Sequence, residues 1–189
     1  MPDPVRIGFI GTGFIAQLHA AMLGPVPDCH VGPVFDIDGA RADEFADSTG
    51  GVAVASADAV ITDCDAVIIA TWTSEHPPAV QAAVAAGRPL LCEKPLAVDL
   101  ATARDLTALV AESGVINQVG LVMRRSPAFR WLRHQVADAA NGPLMNVVFR
   151  DDQYLPIQGQ YGSDWRGDVA RAGGGALLEH SIHDVDLLD

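Results

Sequence analysis

Basic residues are scarce in this 189-residue chain. Its 12 Lys and Arg stand against 24 Asp and Glu, for a formal net charge of -12. Nucleic-acid backbones are bound through clustered Lys and Arg, so the composition argues against a nucleic-acid partner. Long hydrophobic runs are missing too: none approaches the roughly 18 residues that a membrane span needs. The N-terminus, MPDPVRIGFIG, lacks a basic start, a long apolar middle and a cleavage site, and reads as a strand rather than a signal peptide. Cysteine is limited to Cys29, Cys64 and Cys92, an odd number without CxxC spacing. That argues against a disulfide framework or zinc ribbon and points to a reduced, cytoplasmic setting. Apolar material is plentiful, with 49% of residues hydrophobic and 19% charged. Such a chain buries a real core and has room for one full domain plus part of a second.

Apolar runs of strand length alternate with Ala-rich helical stretches. The pattern predicts strands over Val5–Ile10, Val31–Phe35, Ala66–Thr71, Leu90–Cys92 and Val115–Leu121, with a weak one over Val52–Ala55. It predicts helices over Phe14–Leu23, Ala40–Ser48, Ala79–Ala86 and Asp99–Ser113, the third stopped by Gly87 and the last capped by Asp99. The strands are apolar on both faces, which is how a parallel sheet covered by helices reads. Repeated strand–helix–strand units imply right-handed crossovers and a doubly wound α/β sheet. After about Arg124 the pattern changes. A helix is expected over Ser126–Ala140, a strand over Leu144–Arg150, and a final helix from Gly175 onward. Between them, Asp151–Ala172 is a polar, Gly-containing segment of a length that tends to be functional or disordered. The division reads as a first domain over 1–121 and the start of a second over 122–189.

Gly11-Thr12-Gly13-Phe14-Ile15-Ala16 follows a strand and opens a helix, the G-x-G-x-x-A form of the dinucleotide fingerprint. Gly11 permits the tight turn, Gly13 lets backbone approach a pyrophosphate, and Ala16 lets helix and strand pack closely. The phosphates then meet free N–H groups at a helix N-terminus, with Phe14 and Ile15 in its first turn. Asp36 ends the next strand, where a carboxylate accepts hydrogen bonds from the ribose hydroxyls of NAD and repels a 2′-phosphate. The plainer reading of Asp36 is a turn or cap residue. Nearby Arg41 keeps NADP open as the cofactor, and Asp38 reads as the cap of the following helix.

Ligands of open α/β sheets bind outside the carboxyl ends of the strands. Thr71, Trp72, Thr73 and His76 follow one strand, and Glu93-Lys94-Pro95 follows another. A Lys beside a bound cofactor can orient a substrate hydroxyl and shift its pKa. The alternative is a surface Lys in a turn. His76 either caps the helix entered at Pro77 or lines the nicotinamide pocket. Cys92 reads as a small buried apolar residue rather than a nucleophile.

Gly173-Gly174-Gly175 leads into ALLEHSIHDVD. Glu179, His183 and Asp186 share a helix face at i, i+4, i+7. That spacing lets Glu179 orient His183 through one ring nitrogen and leaves the other for proton transfer near neutral pH. The rivals are a solvated polar face and a metal site around His180 and His183, whose spacing matches no standard metal motif.

Together, GFIGTGFIAQLHA, the Glu93-Lys94-Pro95 turn and GGGALLEHSIHDVDLL resemble the glucose–fructose oxidoreductase and inositol dehydrogenase (Gfo/Idh/MocA) family, over essentially the whole chain. The resemblance implies an N-terminal Rossmann domain and a C-terminal domain built on a large, mostly antiparallel sheet. It implies hydride transfer between NAD or NADP and a sugar, inositol or related polyol hydroxyl, in a homo-oligomer. Lys94 matches the family's E-K-P lysine and His183 its catalytic His, while Glu179 stands where Asp is more common. The cofactor residues it implies are Gly11, Gly13, Phe14, Ile15, Asp36, Thr71, Thr73, His76, Glu93 and Lys94, with no metal. Thr73, Trp72 and Ser181 replace a frequent Asn, Pro and Gly. Similar proteins continue for about another length of this chain, so the sequence is expected to be a truncated form or a fragment.

Overall fold

A computed structural model describes residues 3–152 and 163–189. Strands β1 (Val5–Ile10), β2 (Cys29–Phe35), β3 (Val52–Ala53), β4 (Ala66–Ile69), β5 (Leu90–Cys92) and β6 (Asn117–Val119) form one sheet among these residues. All pairings are parallel and the order is β3-β2-β1-β4-β5-β6. This order reverses direction between β1 and β4, the switch point at which open α/β sheets form their ligand crevice.

The crossovers are α1 (Phe14–Leu23), α2 (Gly39–Thr49), α3 (Ala57–Asp63), α4 (His76–Ala85) and α5 (Leu100–Ser113). Side chains alternate across the sheet, and each face has its own core. Phe9, Val34 and Ile68 pack with Ala16 of α1 and Phe45 of α2 on one face. Ile10, Val67 and Ile69 pack with Val60 of α3, Val80 of α4 and Leu106 of α5 on the other. The rings of Phe9 and Phe45 meet at 5.2 Å and 55°, a tilted aromatic contact. The expected caps form: Asp38 accepts the Arg41 N–H and Asp99 the Thr102 N–H. The sequence pattern misses α3, whose seven residues are too few for a helical period to stand out. Ser56 starts it by accepting the Ala59 N–H, and Val60 and Ile61 bury its inner face.

Beyond β6 the structure departs from expectation. Helix α6 (Pro127–Ala137) is shorter than the predicted Ser126–Ala140, with a separate 3₁₀ turn over Ala139–Asn141. Residues 144–150 are irregular, not a strand. No neighbouring strand is available to pair with them among the described residues, and a strand without a partner leaves its N–H and C=O groups unladdered. Met145 and Val148 are each 87% exposed. Phe149 alone finds an aromatic neighbour, stacked on Phe129 at 6.4 Å. Of the polar segment expected over Asp151–Ala172, residues 153–162 lie outside the described residues. Its far end forms a 3₁₀ turn over Trp165–Gly167 and α7 (Val169–Ala172). The single final helix is two, α8 (Gly175–Glu179) and α9 (Ser181–Leu188), broken at His180. No described helix is long and apolar enough to cross a membrane.

Candidate functional site

The glycine turn sits at the carboxyl end of β1, against β4. Gly11 adopts φ +88, and a Cβ there would lie 2.6 Å from the Ala70 carbonyl oxygen. Only glycine tolerates both the left-handed conformation and that approach. Gly13 is the N-cap of α1 and supplies no side-chain cap, so the N–H groups of the first turn, including those of Phe14 and Ile15, have no partner inside the helix. A Cβ on Gly13 would meet nothing within 4 Å. The space in front of these donors is open, and a helix N-terminus of this kind favours an anion. These features fit the pyrophosphate of a dinucleotide.

Asp36 directly follows β2 and faces the same turn. Its Oδ2 accepts the Thr12 N–H at 2.9 Å and the Thr12 hydroxyl at 3.1 Å, and its Oδ1 accepts the Asp38 N–H at 2.9 Å. Thr12 is fully buried. The carboxylate is therefore fixed against the glycine turn and keeps lone pairs for further donors. Arg41 pairs with Asp36 at 3.6 Å and with Asp38 at 3.4 Å. Its charge is committed to two carboxylates, which weakens its claim on a 2′-phosphate.

At the ends of β4 and β5 the expected residues come together, in roles partly different from those expected. Thr71 donates its hydroxyl to the Trp72 carbonyl at 3.3 Å. His76 is buried, neither capping α4 nor facing open space. Its Nδ1 lies 2.8 Å from the Pro95 carbonyl and its Nε2 3.2 Å from the Thr71 carbonyl. Through the Pro95 contact it ties the start of α4 to the end of β5. Burial pushes its imidazole below the ordinary histidine range, against the pull of the two carbonyls. The neutral ring has one N–H, and the shorter contact assigns it to Nδ1. Glu93 is buried as well, and its Oε1 lies 2.7 Å from His19 Nε2 on α1. Cys92 is buried as expected, with its thiol pushed far up by burial.

Residues 163–189 close over this end of the sheet. Gly173, at φ +86, brings the chain against Val98, where a Cβ would sit 2.9 Å from the Val98 carbonyl. The glycine run thus makes a close approach. Glu179, 1% exposed, is the centre of the contact. Its backbone carbonyl accepts Lys94 Nζ at 2.7 Å. Its Oε2 pairs with Lys94 Nζ at 3.4 Å and with Arg166 Nε at 3.1 Å, and its Oε1 accepts the Thr73 hydroxyl at 3.4 Å. The expected hydrogen bond from the His183 ring to the Glu179 carboxylate does not form. The helix breaks at His180, so i and i+4 no longer share a face, and the Glu179 carboxylate turns to the two cations instead. Asp186, the third member of the expected face, pairs with Arg124, which holds its carboxyl below the usual range.

His183 is partly buried. Burial first, and the Lys94 charge second, push its imidazole below the ordinary value, which keeps it neutral near pH 7. Its Nδ1 is buried and has no hydrogen-bond partner among the described residues. Such a buried polar atom without a protein partner is unusual. No group of three or more His, Cys, Asp or Glu among the described residues is arranged to hold a metal ion. Three contributors carry no signal in the sequence pattern: His19, Thr12 and Arg166. Thr12 lies inside the fingerprint and His19 on the helix that follows it, and their partners come from the ends of other strands. Arg166 sits in the polar segment, where nothing in the spacing points to Glu179.

Residues 5–121 match the family described as an oxidoreductase family with an NAD-binding Rossmann fold. Over 188 residues the chain is 31% identical to the myo-inositol dehydrogenase Hyg17 of Streptomyces leeuwenhoekii, covering 97% of this chain and 54% of that protein. Over 189 residues it is 32% identical to the 1,5-anhydro-D-fructose reductase of Ensifer adhaerens, covering 97% and 55%. The structure superposes on that of GenD2 from gentamicin A biosynthesis in complex with NAD, with TM-score 0.82 and 27% identity over 99% of this chain and 53% of that one. The chain spans about half the length of the relatives it matches. Glycine turn, strand order and family match agree, and the chain belongs to the Gfo/Idh/MocA oxidoreductase family with its NAD-binding Rossmann fold.

Proposed function

We propose that this chain carries the cofactor site and the proton-transfer groups of an oxidoreductase that exchanges hydride with a sugar, inositol or related polyol hydroxyl. In this reading, 1–121 is the cofactor domain and 122–189 begins the substrate domain. The observation that carries it is the Lys94–Glu179 contact, which draws the segment bearing His183 to the carboxyl ends of β4 and β5, beside the glycine turn. The bound nicotinamide supplies the hydride chemistry. The chain supplies the rest. Asp36 and the first turn of α1 bind and orient the dinucleotide, with NAD favoured over NADP. Glu93, Thr71, Thr73 and His76 shape the floor on which the nicotinamide end would lie. Lys94 orients the substrate hydroxyl, and neutral His183 takes its proton. The names of the similar proteins, a myo-inositol dehydrogenase and a 1,5-anhydro-D-fructose reductase, support a polyol or sugar. The three free cysteines are in keeping with a reduced cytoplasm. Exposed apolar residues on α6, Trp131 and Leu132 among them, favour a homo-oligomer.

The test is NAD-linked oxidation of a panel of inositols and sugars by the full chain and its variants. His183→Ala and Lys94→Ala are each expected to lose roughly a hundred- to ten-thousand-fold in rate. Near-wild-type rates in both would contradict the assignment. A second reading is a nucleotide-binding protein without turnover. It would gain support from tight NAD binding with no turnover on any substrate.

A further inference from the structure

Lys94 is the one lysine of the chain, and its side chain is 15% exposed, set beside a glutamate side chain that is 1% exposed. Arg166, 17% exposed, lies on the same carboxylate oxygen, Oε2 of Glu179. Two cations from distant parts of the sequence thus share one buried oxygen, with Thr73 on the other. A buried carboxylate with a single partner is costly, and further donors to its remaining lone pairs make the arrangement stable. Lys94 alone does not meet that need, because its shortest bond, 2.7 Å, goes to the Glu179 backbone and not to the carboxylate. Arg166 makes the closer approach to the carboxylate, 3.1 Å against 3.4 Å. A guanidinium suits this task, since it is always charged and donates in a fixed plane. The guanidinium also lies 4.5 Å from the Trp165 ring centroid, a contact that restricts its rotation.

We propose that Arg166 is a positioning residue for Lys94: by sharing the Glu179 carboxylate, it fixes Glu179, whose backbone carbonyl in turn holds the lysine ammonium in place. The role in catalysis rests on the function proposed above, but the positioning itself does not. Glu179 then serves Lys94 and Arg166 and leaves His183 to be placed by the packing of α9.

The single lysine makes this testable without turnover. Acetylation of the full chain by an amine-selective reagent, read by peptide mass spectrometry, reports Lys94 against the N-terminal amine as internal standard. Arg166→Met is expected to accelerate Lys94 acetylation about tenfold, the fold change that one lost charge-assisted hydrogen bond implies. In the Glu179→Gln background, Arg166→Met is expected to have little further effect, because the shared carboxylate is gone. An unchanged acetylation rate in Arg166→Met overturns the proposal. So does an effect of Arg166→Met that persists undiminished in the Glu179→Gln background. Should Arg166→Met fail to fold, Arg166→Gln in the same cycle decides between the same outcomes. A protected Lys94 in a chain with no turnover leaves the positioning intact and counts only against the function.

Discussion

The sheet domain and the segment over residues 163–189 are held by different forces. Phe9, Val34, Val60, Val80 and Ile69 of the sheet domain are entirely buried, and its cohesion is apolar area removed from water. The later segment buries Ala172 and little else that is apolar. Leu177, Val169 and Val185 are 79%, 70% and 67% exposed. It is fastened instead through Glu179 to Lys94 and Thr73, and through Asp186 to Arg124. An apolar core tolerates no loss of volume, whereas a charge-fastened segment is sensitive to a single carboxylate. Chemistry that needs Lys94 and His183 together therefore depends on the weaker of the two attachments.

Substitutions that separate these forces follow in order of size. Phe9→Ala removes a fully buried ring from one face of the sheet and should cost about 3–5 kcal/mol of unfolding free energy. Leu177→Ala and Val185→Ala in the segment should stay within about 0.5 kcal/mol. Denaturant titration measures both, and a large loss at Leu177 would erase the contrast. Glu179→Gln should cost the docking of the segment about 3 kcal/mol, since it leaves two cations facing each other without their shared anion. Hydrogen exchange should then show amides in 163–189 losing protection while β1 and β4 keep theirs. Uniform loss across the sheet would mean that the regions are not separable.

Acid should act through the histidines between the two regions. His76, His180 and His183 are all pushed below the ordinary value, chiefly by burial. The unfolded chain takes up protons at these sites below about pH 6.5, while the folded form resists. Stability is thus complete above that pH and falls as pH drops from there toward the lower folded-state values. His76→Gln keeps an N–H for the Pro95 carbonyl and removes the titration, so its melting temperature should change less between pH 7 and pH 5. An unaltered slope would remove His76 from the explanation. A small effect is expected at Arg124→Ala, at most about 1 kcal/mol, because the arginine is half exposed. High salt should mimic it, and a larger cost would raise the weight of the Asp186 contact.

The same division explains what could be read in the sequence. VRIGFI, AVIIAT and LLC are apolar in the way that a sheet covered on both faces requires, so the strands that flank the glycine turn are legible from pattern alone. Gly11, Gly13 and Asp36 are legible because their roles are set by backbone geometry at fixed offsets from a strand. The segment is legible only as a set of chemical groups. Glu179 and His183 suggest a pair by helical spacing, and the break at His180 undoes it. Arg166 and His19 carry no period, and their partners are contributed by the fold. The run Leu144–Arg150 reads as a strand from its residues, yet a strand also needs a neighbour to pair with.

The central claim is that the turn between β1 and α1, with Asp36 beside it, is a site for NAD. Calorimetry on the full chain with NAD and NADP tests it most directly, with Asp36→Ala as the companion variant. The wild-type chain should bind NAD more tightly. Asp36→Ala should narrow the difference by about tenfold, since it removes a carboxylate from beside the 2′ position and frees Arg41 from one of its two partners. Equal or tighter binding of NADP by the wild-type chain, or no binding of either dinucleotide, would contradict it.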